Sequence, residues 1–337
     1  MMDYSAYPKG TVEDIIRLRR RIDKSQIPIK RVDQNLIIGT WNIRAFGRIF
    51  GGWDENRADP KRNLRAMACI AEIIRHYDVI AIQEVKADTS GIRMLVHDFL
   101  GPEWEVIMSD VSAGSGGNTE RLSFIYDTRR VLPSGLAGEI VLPPTPQGNP
   151  MVQFDRTPYI VGFQSKQEKF ALLTAHIKYG KIPADRIDEL KSLAKYVAEE
   201  IRDRVKTLAD ERNLIVLGDF NIEDRGSNPL FQAFVSTGLV VPPALLNLRT
   251  TYDTKPKFYD QIAWFMGELE MLCEGRAGVI DFTGSVFKEM TPREMSYRVS
   301  DHLPLWVEFI TNRSDECMAQ ILGVDIGAPD PFAGVPD

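Results

Sequence analysis

Short apolar runs that end in a polar side chain recur along the chain. Each run is short and rich in Ile, Val, Leu and Phe, and four of the five have an acid, an amide or a histidine at their end. Runs of this length that are bounded by polar residues are typical of buried strands. We therefore predict buried strands at 36–44, 78–84, 170–176, 213–219 and 260–265.

Apolar residues at helical spacing lie between these runs. Leu64, Met67, Ala71 and Ile74 recur every three or four positions, which predicts an amphipathic helix. A longer stripe predicts a helix over 185–209. An Asn-Pro start and a Gly stop predict a shorter helix over 228–238. Strands alternating with helices indicate one large α/β sandwich.

The N-terminal region is polar and contains the basic run RLRRR. Ile15, Leu18 and Ile22 lie at helical spacing, so we predict a short helix and then an extended connector. We interpret the basic run as a solvated helix face, with contact to a phosphate backbone as the alternative. The predicted organisation is a helical extension at 1–34, the main domain at 35–312 and a flexible tail at 313–337.

Composition narrows the class of protein. The chain has 337 residues, 44% of them hydrophobic, which is enough for a substantial core. No apolar stretch reaches the ~18 residues that a membrane helix needs. Three scattered cysteines (Cys69, Cys273 and Cys317) predict no disulfide framework, so we expect a soluble cytoplasmic protein. With 41 basic and 47 acidic residues, any phosphate binding must use a local basic site or a metal.

The polar residues at the strand ends are the candidate chemistry. They are Asn42, Glu84, His176, Asp219 with Asn221, and the pair Asp301-His302 before a last apolar run. An unpaired carboxylate is costly in a buried strand, so several of them at one edge predict an oxygen-rich pocket. Oxygen ligands suit Mg²⁺, whereas the sequence has neither HExxH nor a paired CxxC for zinc.

Other catalytic motifs are absent from the sequence. The glycine-rich segment 113–117 lacks the Lys-Ser/Thr of a phosphate-binding loop, so we interpret it as a flexible loop. No GxSxG motif is present to supply an esterase nucleophile. Metal-assisted chemistry at the strand ends is therefore the leading hypothesis.

Six short motifs in one order give a family resemblance. They are WNIRAFG at 41–47, IQEVK at 82–86, TAH at 174–176, GDFN at 218–221, YDQI at 259–262 and SDHLP at 300–304. The set resembles the endonuclease/exonuclease/phosphatase superfamily, and within it the deoxyribonuclease I-like branch, over residues 36–312. The resemblance implies an α/β fold: a four-layer αββα sandwich of two mixed β-sheets.

The resemblance also implies roles for individual residues. Glu84 would be the principal metal carboxylate, with Asn42 and Asp301 completing the site directly or through water. Asp219 and Asn221 would hold the attacking water and the scissile phosphate. The cofactor implied is Mg²⁺, with Mn²⁺ or Ca²⁺ as alternatives, and whether one or two ions act stays open.

The proton-transfer groups and the phosphate contacts follow from the same resemblance. His302 would be oriented by Asp260, and His176 by Glu120, whose segment ERLSFIY matches the acid before an apolar strand in this branch. Which histidine is the base stays open. The branch has phosphate-contacting cations at the positions of Arg44, Lys86 and Arg156. Thr250 and Thr251 are further candidates for a phosphate contact.

The function expected is a Mg²⁺-dependent phosphodiesterase, a DNA endonuclease of low sequence specificity, with nucleic acid as partner and no membrane. RNA as the substrate, a phosphatase or phospholipase acting on inositol phosphates or sphingolipids, and a catalytically silent binding module are the alternatives. The sequence indicates no oligomeric state. We also expect the long loop 45–60, with Arg48, Trp53 and Arg57 and nearby Arg65, to line the substrate groove.

Overall fold

Two six-stranded mixed β-sheets form the centre of the molecule. The structure is a computed structural model that describes residues 3–53, 59–112, 119–145, 147–166, 168–204, 213–252, 255, 257–271 and 273–335. The glycine-rich segment 113–117 and Arg57 lie outside the described residues.

The first sheet is built around a parallel pair of strands. Its order is β11-β12-β1-β2-β4-β3, in which β1 and β2 run parallel and β12 and β4 flank them antiparallel. The strands are β1 (Asn35–Phe46), β2 (Val79–Lys86), β3 (Trp104–Met108), β4 (Glu120–Asp127), β11 (Ala277–Val279) and β12 (Leu305–Ile310).

The second sheet repeats this plan. Its order is β5-β6-β7-β8-β10-β9, with β7 and β8 parallel. The strands are β5 (Leu132–Glu139), β6 (Tyr159–Ser165), β7 (Glu168–His176), β8 (Asn213–Asp219), β9 (Leu239–Val240) and β10 (Asp260–Phe265). All five predicted strands are present.

The helices cover the outer faces of the sheets. They are α1 (Lys9–Lys24), α2 (Leu64–Ile74), α3 (Ser90–Met94, continued by a π-helical stretch Leu95–Leu100), α4 (Ile187–Tyr196, continued by a π-helical stretch Val197–Ile201), α5 (Pro229–Val235), α6 (Pro292–Ser296) and α7 (Ser314–Leu322). Short 3₁₀ turns lie at Tyr4–Ala6, Pro183–Arg186 and Pro243–Leu245. In the described parts of the chain, no helix has the length and apolarity that crossing a bilayer requires.

Side-chain alternation along the strands divides the core into two clusters. Leu36 and Ile38 of β1 contribute to one cluster with residues of the second sheet, whereas Ile37 contributes to the other with α1 and α2. Both faces of β1 are therefore buried, as its near-continuous apolar sequence predicts. The helix–sheet–sheet–helix layering confirms the predicted four-layer sandwich.

Three sequence-based boundaries differ in detail from the structure. The predicted helix 185–209 begins as a 3₁₀ turn and contains a π-helical stretch, and residues 205–209 lie outside the described residues. The predicted helix 228–238 is shorter in the structure, where it spans Pro229–Val235. The side chain of Asn228 caps its start by accepting a hydrogen bond from the Leu230 N–H. The segment 313–337, expected to be a loose tail, contains helix α7.

Candidate active site

The parallel strand pairs bring four predicted site residues to one edge of the sandwich. Asn42 and Glu84 lie near the carboxyl ends of β1 and β2. His176 and Asp219 end β7 and β8 and are register partners. Carboxyl ends of parallel strands meet at the same edge of a sheet, so residues separated by up to 177 positions become neighbours.

Asp219 lies at the centre of this group. Its Oδ2 accepts a hydrogen bond from Asn42 Nδ2 at 2.9 Å and lies 3.5 Å from His176 Nε2 and 3.8 Å from His302 Nε2. Its Oδ1 accepts a hydrogen bond from the Asn221 N–H. Burial opposes the charge, but the imidazoles and the two N–H donors outweigh it and lower the pKa of Asp219.

His302 is held by Asp260, which is opposite Asp219 in the antiparallel β8–β10 pair. His302 Nδ1 lies 2.8 Å from Asp260 Oδ2, and both residues are buried. Burial disfavours the imidazolium, but the facing carboxylates of Asp260 and Asp219 raise the pKa of His302 well above its ordinary value. The structure therefore brings this predicted acid–histidine pair together.

His176 lies beside Glu120, the first residue of β4. His176 Nδ1 is 3.1 Å from Glu120 Oε2, which also accepts a hydrogen bond from Arg156 Nε at 2.7 Å, while Lys86 Nζ donates to Oε1 at 2.9 Å. Burial alone would raise the pKa of Glu120, but these three partners lower it to about 2. Lys86 and Arg156, expected to contact phosphate, are thus already ion-paired with the acid of the second histidine.

A β-bulge aims Glu84 into the site. The β1–β2 register shifts between Asn42 and Phe46, and Glu84 has a φ of +62°, which is uncommon for a residue other than glycine. Glu84 Oε1 accepts from Asn42 Nδ2 at 2.9 Å and Oε2 accepts from the Ala45 N–H at 2.8 Å. Backbone strain of this kind concentrates at functional sites, so the bulge is consistent with a site built around Glu84.

Glu84, Asn42 and Asp301 fit the predicted magnesium ligands in chemistry. Asn42 donates both observed bonds from Nδ2, and its Oδ1 is buried without a hydrogen-bond partner among the described residues. An orphaned amide oxygen beside a carboxylate is an oxygen donor of the kind that Mg²⁺ takes. Asp301 is 40% exposed and lies 3.1 Å from Arg44 Nη1, so its carboxylate reaches solvent at the cleft.

A second group could also hold a metal. Asp219, Asp260 and His302 each offer an atom within 4.8 Å of the others. Within this group, His302 Nδ1 and Asp260 Oδ2 already satisfy one another at 2.8 Å.

A cleft of about 580 Å³ opens beside this group. His302 and Asp301 line it together with Lys257, Tyr259 and Arg293. Cations and aromatic rings next to a cluster of acids and histidines suit a phosphate-bearing substrate with a planar group.

Of the predicted substrate contacts, Arg44 lies in the wall of the cleft, whereas the side chain of Asn221 is bonded within the protein. Arg44 lines the cleft, donates to Ser296 Oγ at 2.7 Å and stacks on the Tyr297 ring at 4.0 Å. Asn221, with a φ of +51°, donates its side-chain amide to the Ile177 carbonyl at 2.7 Å. The amide nitrogen of Asn221 is therefore occupied within the protein, and its backbone N–H holds Asp219.

Thr250 does not reach the cleft. It is fully buried, and its Oγ1 accepts a hydrogen bond from the Asp260 N–H at 3.1 Å. Thr250 thus supports the acid of His302, whereas Thr251 lines the cleft.

The expectation that the loop 45–60 lines the groove is not supported by its described residues. Trp53 packs on Tyr7, with ring centroids 5.2 Å apart. Arg65 is buried and paired with Asp14 at 2.7 Å. An aromatic contact and a buried ion pair thus connect the N-terminal region to the domain.

Three supporting residues were missed from the sequence. Gln83 is fully buried and donates to Thr40 Oγ1 and Thr174 Oγ1, both at 3.0 Å, which links the two sheets under the site. A polar residue inside an apolar run was the signal that could have identified it. Ser300 Oγ donates to the Asn42 carbonyl at 2.6 Å and accepts from the His302 N–H at 3.0 Å.

Arg62 is the third missed residue. It is buried, and its guanidinium donates to the carbonyls of Arg44 and Ala45 on one segment and of Arg298 and Val299 on another. Burial lowers the pKa of Arg62 to about 10. One side chain thus ties the end of β1 to the segment that carries Asp301 and His302.

Comparisons with known proteins bear on the family and the fold. A deoxyribonuclease from Thioalkalivibrio sp. (strain K90mix) is 28% identical over 312 residues, which cover 88% of this chain and 77% of that protein. The fold is similar to that of a mannosyl-6-phosphatase from Bacteroides thetaiotaomicron (TM-score 0.52, 19% identity, 81% of this chain and 99% of that one). It is also similar to that of D. rerio TDP2 in complex with a single-strand DNA product (TM-score 0.50, 17% identity, 82% and 98%).

The remaining comparison concerns the family itself. Residues 39–255, more than half of the chain, match the endonuclease/exonuclease/phosphatase family, and the two-sheet sandwich is the deoxyribonuclease I-like fold of its members. This chain therefore belongs to the endonuclease/exonuclease/phosphatase family.

Proposed function

We propose that the protein is a Mg²⁺-dependent phosphodiesterase that acts as a DNA endonuclease of low sequence specificity. The observation that carries this proposal is the position of Asp219, which lies within 3.8 Å of the Nε2 atoms of both His176 and His302 and is bonded to Asn42 at 2.9 Å. Members of the family are hydrolases of phosphodiesters or phosphate esters and generally depend on a divalent metal.

The two histidines suit the proton transfers of this reaction. Hydrolysis needs a proton acceptor for water and a proton donor for the leaving oxygen. His302 Nδ1 is bonded to Asp260 at 2.8 Å, which fixes its tautomer and leaves Nε2 to exchange a proton at the substrate. His176 Nδ1 lies 3.1 Å from the Glu120 carboxylate, whose charge favours a proton on that nitrogen. Asp219, with its lowered pKa, is an anion that can orient the attacking water.

A second group of residues would stabilise the negative charge of the phosphate. Glu84, Asn42 and Asp301 would hold the divalent cation, with Mn²⁺ or Ca²⁺ as alternatives, and the bound cation supplies neutralisation of the nonbridging phosphate oxygens. Arg44, which lines the cleft, adds a guanidinium suited to phosphate.

The choice of DNA and of low specificity has separate support. The 28% identical relative is named deoxyribonuclease, and one similar structure contains a DNA product. Contacts to backbone phosphate position a nucleic acid but carry no sequence information. Arg44, Lys257 and Arg293 at the cleft are cations of that kind.

The test is a comparison of substrates with and without metal. Supercoiled plasmid, RNA and a chromogenic phosphodiester are incubated with purified protein in Mg²⁺ or in EDTA. We expect plasmid nicking that EDTA abolishes, and a loss of about 10²- to 10⁴-fold in His302→Ala and in Asp260→Asn. Glu84→Gln should raise the Mg²⁺ concentration needed for half-maximal rate.

The matched control is His97→Ala, because His97 is exposed on the π-helical stretch after α3 and belongs to no part of the site. It should nick plasmid at the rate of the unchanged protein. Turnover of phosphate monoesters alone would select a phosphatase instead, and inertness toward every substrate would select a binding module.

A further inference from the structure

A basic patch lies on the N-terminal helix, away from the residues that carry the proposed chemistry. Five cations form it, and we call them the α1 patch: Arg17, Arg20, Arg21, Lys24 and Lys288. Together with residues 283–285 they line a cavity of about 210 Å³. No acid is among the described residues that line this cavity. In a chain of net charge −6, such a local excess is not a consequence of composition.

The patch joins two segments that are far apart in the sequence. Arg17 Nε donates to the Ser285 carbonyl at 3.0 Å, and Arg21 Nε donates to the Asp281 carbonyl at 2.9 Å. Asp14 on the same helix is fully buried and accepts from Arg65 Nε at 2.8 Å and from the Phe287 N–H at 3.0 Å. These bonds fix α1 against the 281–288 segment, so the cations stand in a defined arrangement.

Three of the five cations have no partner within the described parts of the chain. Arg20, Lys24 and Lys288 are exposed, and no hydrogen bond or ion pair joins them to another described residue. Arg17 and Arg21, by contrast, also pair with Asp14 and Asp281. A solvated helix face does not explain why Lys288, from a second segment, adds its charge to the same cavity.

One member of the patch, Lys288, lies close along the chain to a residue of the candidate active site. Thr291 lines the active-site cleft and is three positions after Lys288, so their Cα atoms are at most about 11 Å apart. A nucleic-acid strand carries one phosphate per about 3.4 Å of helix axis. Phosphates about three positions from a nucleotide that lies against Thr291 would therefore come within reach of Lys288.

A second connection runs through side chains. Asp281 Oδ2 lies 3.6 Å from Arg21 Nη2 and 3.2 Å from Arg249 Nη2. Arg249 precedes Thr250 and Thr251, which lie next to Asp260 and in the cleft wall. Charged groups thus continue from the cleft to α1.

From these observations we propose that the α1 patch binds the phosphate backbone of the nucleic-acid substrate a few nucleotides from the scissile bond. The proposal rests on the proposed function, and it adds a binding surface built from residues outside the family match at 39–255. The occupant is the nucleic-acid backbone, because the patch is basic and its member Lys288 is three positions from Thr291 in the wall of the active-site cleft.

The test uses the triple variant Arg20→Gln/Lys24→Gln/Lys288→Gln in the full chain. Binding to a 30-base-pair DNA duplex is measured in EDTA over a series of salt concentrations. The loss of three phosphate contacts should reduce the slope of log affinity against log salt by about 2 to 3 and weaken binding about tenfold at low salt. Turnover of bis(4-nitrophenyl) phosphate in Mg²⁺, which is too small to reach the patch, should stay within about twofold.

The matched control is Lys191→Gln/Lys195→Gln/Arg313→Gln, which removes three exposed charges from other surfaces. An unchanged salt slope in the patch variant, or an equal change in the control, would overturn the patch while leaving nuclease activity intact. Loss of binding to phosphatidylserine vesicles without loss of DNA binding would also overturn it. If the unchanged protein neither binds nor cleaves DNA, the proposed function itself fails.

Discussion

The two ends of strand β4 carry the same electrostatic arrangement with different neighbours. Glu120 begins the strand and Asp127 ends it, and both carboxylates are buried. Each is paired with one lysine and one arginine at 2.7–2.9 Å: Lys86 and Arg156 for Glu120, and Lys30 and Arg129 for Asp127. Burial opposes both charges, yet the pKa of each acid is lowered to about 2.

Only one of these ends faces the candidate active site. Glu120 has His176 at 3.1 Å, whereas Asp127 has no histidine among its described ion-pair partners. A buried acid with a lowered pKa and two cations is therefore not by itself a sign of catalysis. The histidine and the nearby Asp219 distinguish the two ends, so we expect identical changes there to have different effects.

The largest difference should be in turnover. Glu120→Gln removes the charge that orients His176, and kcat for the chromogenic phosphodiester should fall about 100-fold or more. Asp127→Asn removes an equivalent charge at the far end of the strand and should leave kcat within about twofold. Steady-state kinetics in Mg²⁺ measure both.

Circular dichroism should first show that both variants are folded. A fall in kcat of less than about fivefold in Glu120→Gln would remove Glu120 from the proposed mechanism. An equal fall in Asp127→Asn would mean that the strand as a whole, and not the acid–histidine pair, controls the rate.

The pH dependence of stability should be similar at the two ends. An acid whose pKa is lowered on folding stabilises the protein above its unfolded pKa, and this contribution is lost as pH falls toward the folded pKa. For pKa values of about 2, the window runs from about pH 4.5 down to about pH 2. Each acid should contribute on the order of 2–3 kcal/mol at pH 7.

Urea unfolding at pH 7, 5, 4 and 3 measures this contribution. The stability difference between the unchanged protein and Glu120→Gln, or Asp127→Asn, should be constant at pH 5 and above and should shrink as pH falls below about 4.5. A difference that stays constant down to pH 3 would show that the ion pairs do not lower these pKa values.

Much of the fold was predictable because its signals are local. Apolar runs bounded by polar residues identified the buried strands, and Asn228-Pro229 identified a helix start. The π-helical stretch at Val197–Ile201 was not predicted, because its apolar spacing differs little from that of an α-helix. The pairing of β7 with β8 and of β1 with β2 has no local signal.

The acid–histidine pairs at the strand ends were predictable, whereas the cations that pair with Glu120 were not. The six motifs in order gave Glu84, His176 and His302 through the resemblance to the family. The pairing of Lys86 and Arg156 with Glu120 depends on how β2, β4 and the segment before β6 meet, which no single motif records. For the same reason, Arg62 could not be distinguished from a surface arginine.

The smallest expected effect is that of Lys86→Gln on KM, which distinguishes two roles for Lys86. As a phosphate contact, Lys86 would lower KM, whereas as the partner of Glu120 at 2.9 Å it stabilises the fold. Because its side chain is only 29% exposed and is bonded to Glu120, we expect Lys86→Gln to leave KM for plasmid within about twofold. Partly buried pairs of this kind contribute about 1 kcal/mol, so unfolding free energy should fall by about that amount.

Lys30→Gln is the matched variant at the other end of β4, since Lys30 bonds Asp127 at 2.8 Å and is 18% exposed. Lys30 also donates to the Tyr77 carbonyl at 2.9 Å, so this variant should cost at least as much unfolding free energy, and it should change neither kcat nor KM. A several-fold rise in KM confined to Lys86→Gln would restore Lys86 as a phosphate ligand, because the loss of an internal ion pair acts on both variants alike. Equal behaviour of the two lysine variants would leave the histidine as the feature that makes one end of β4 catalytic.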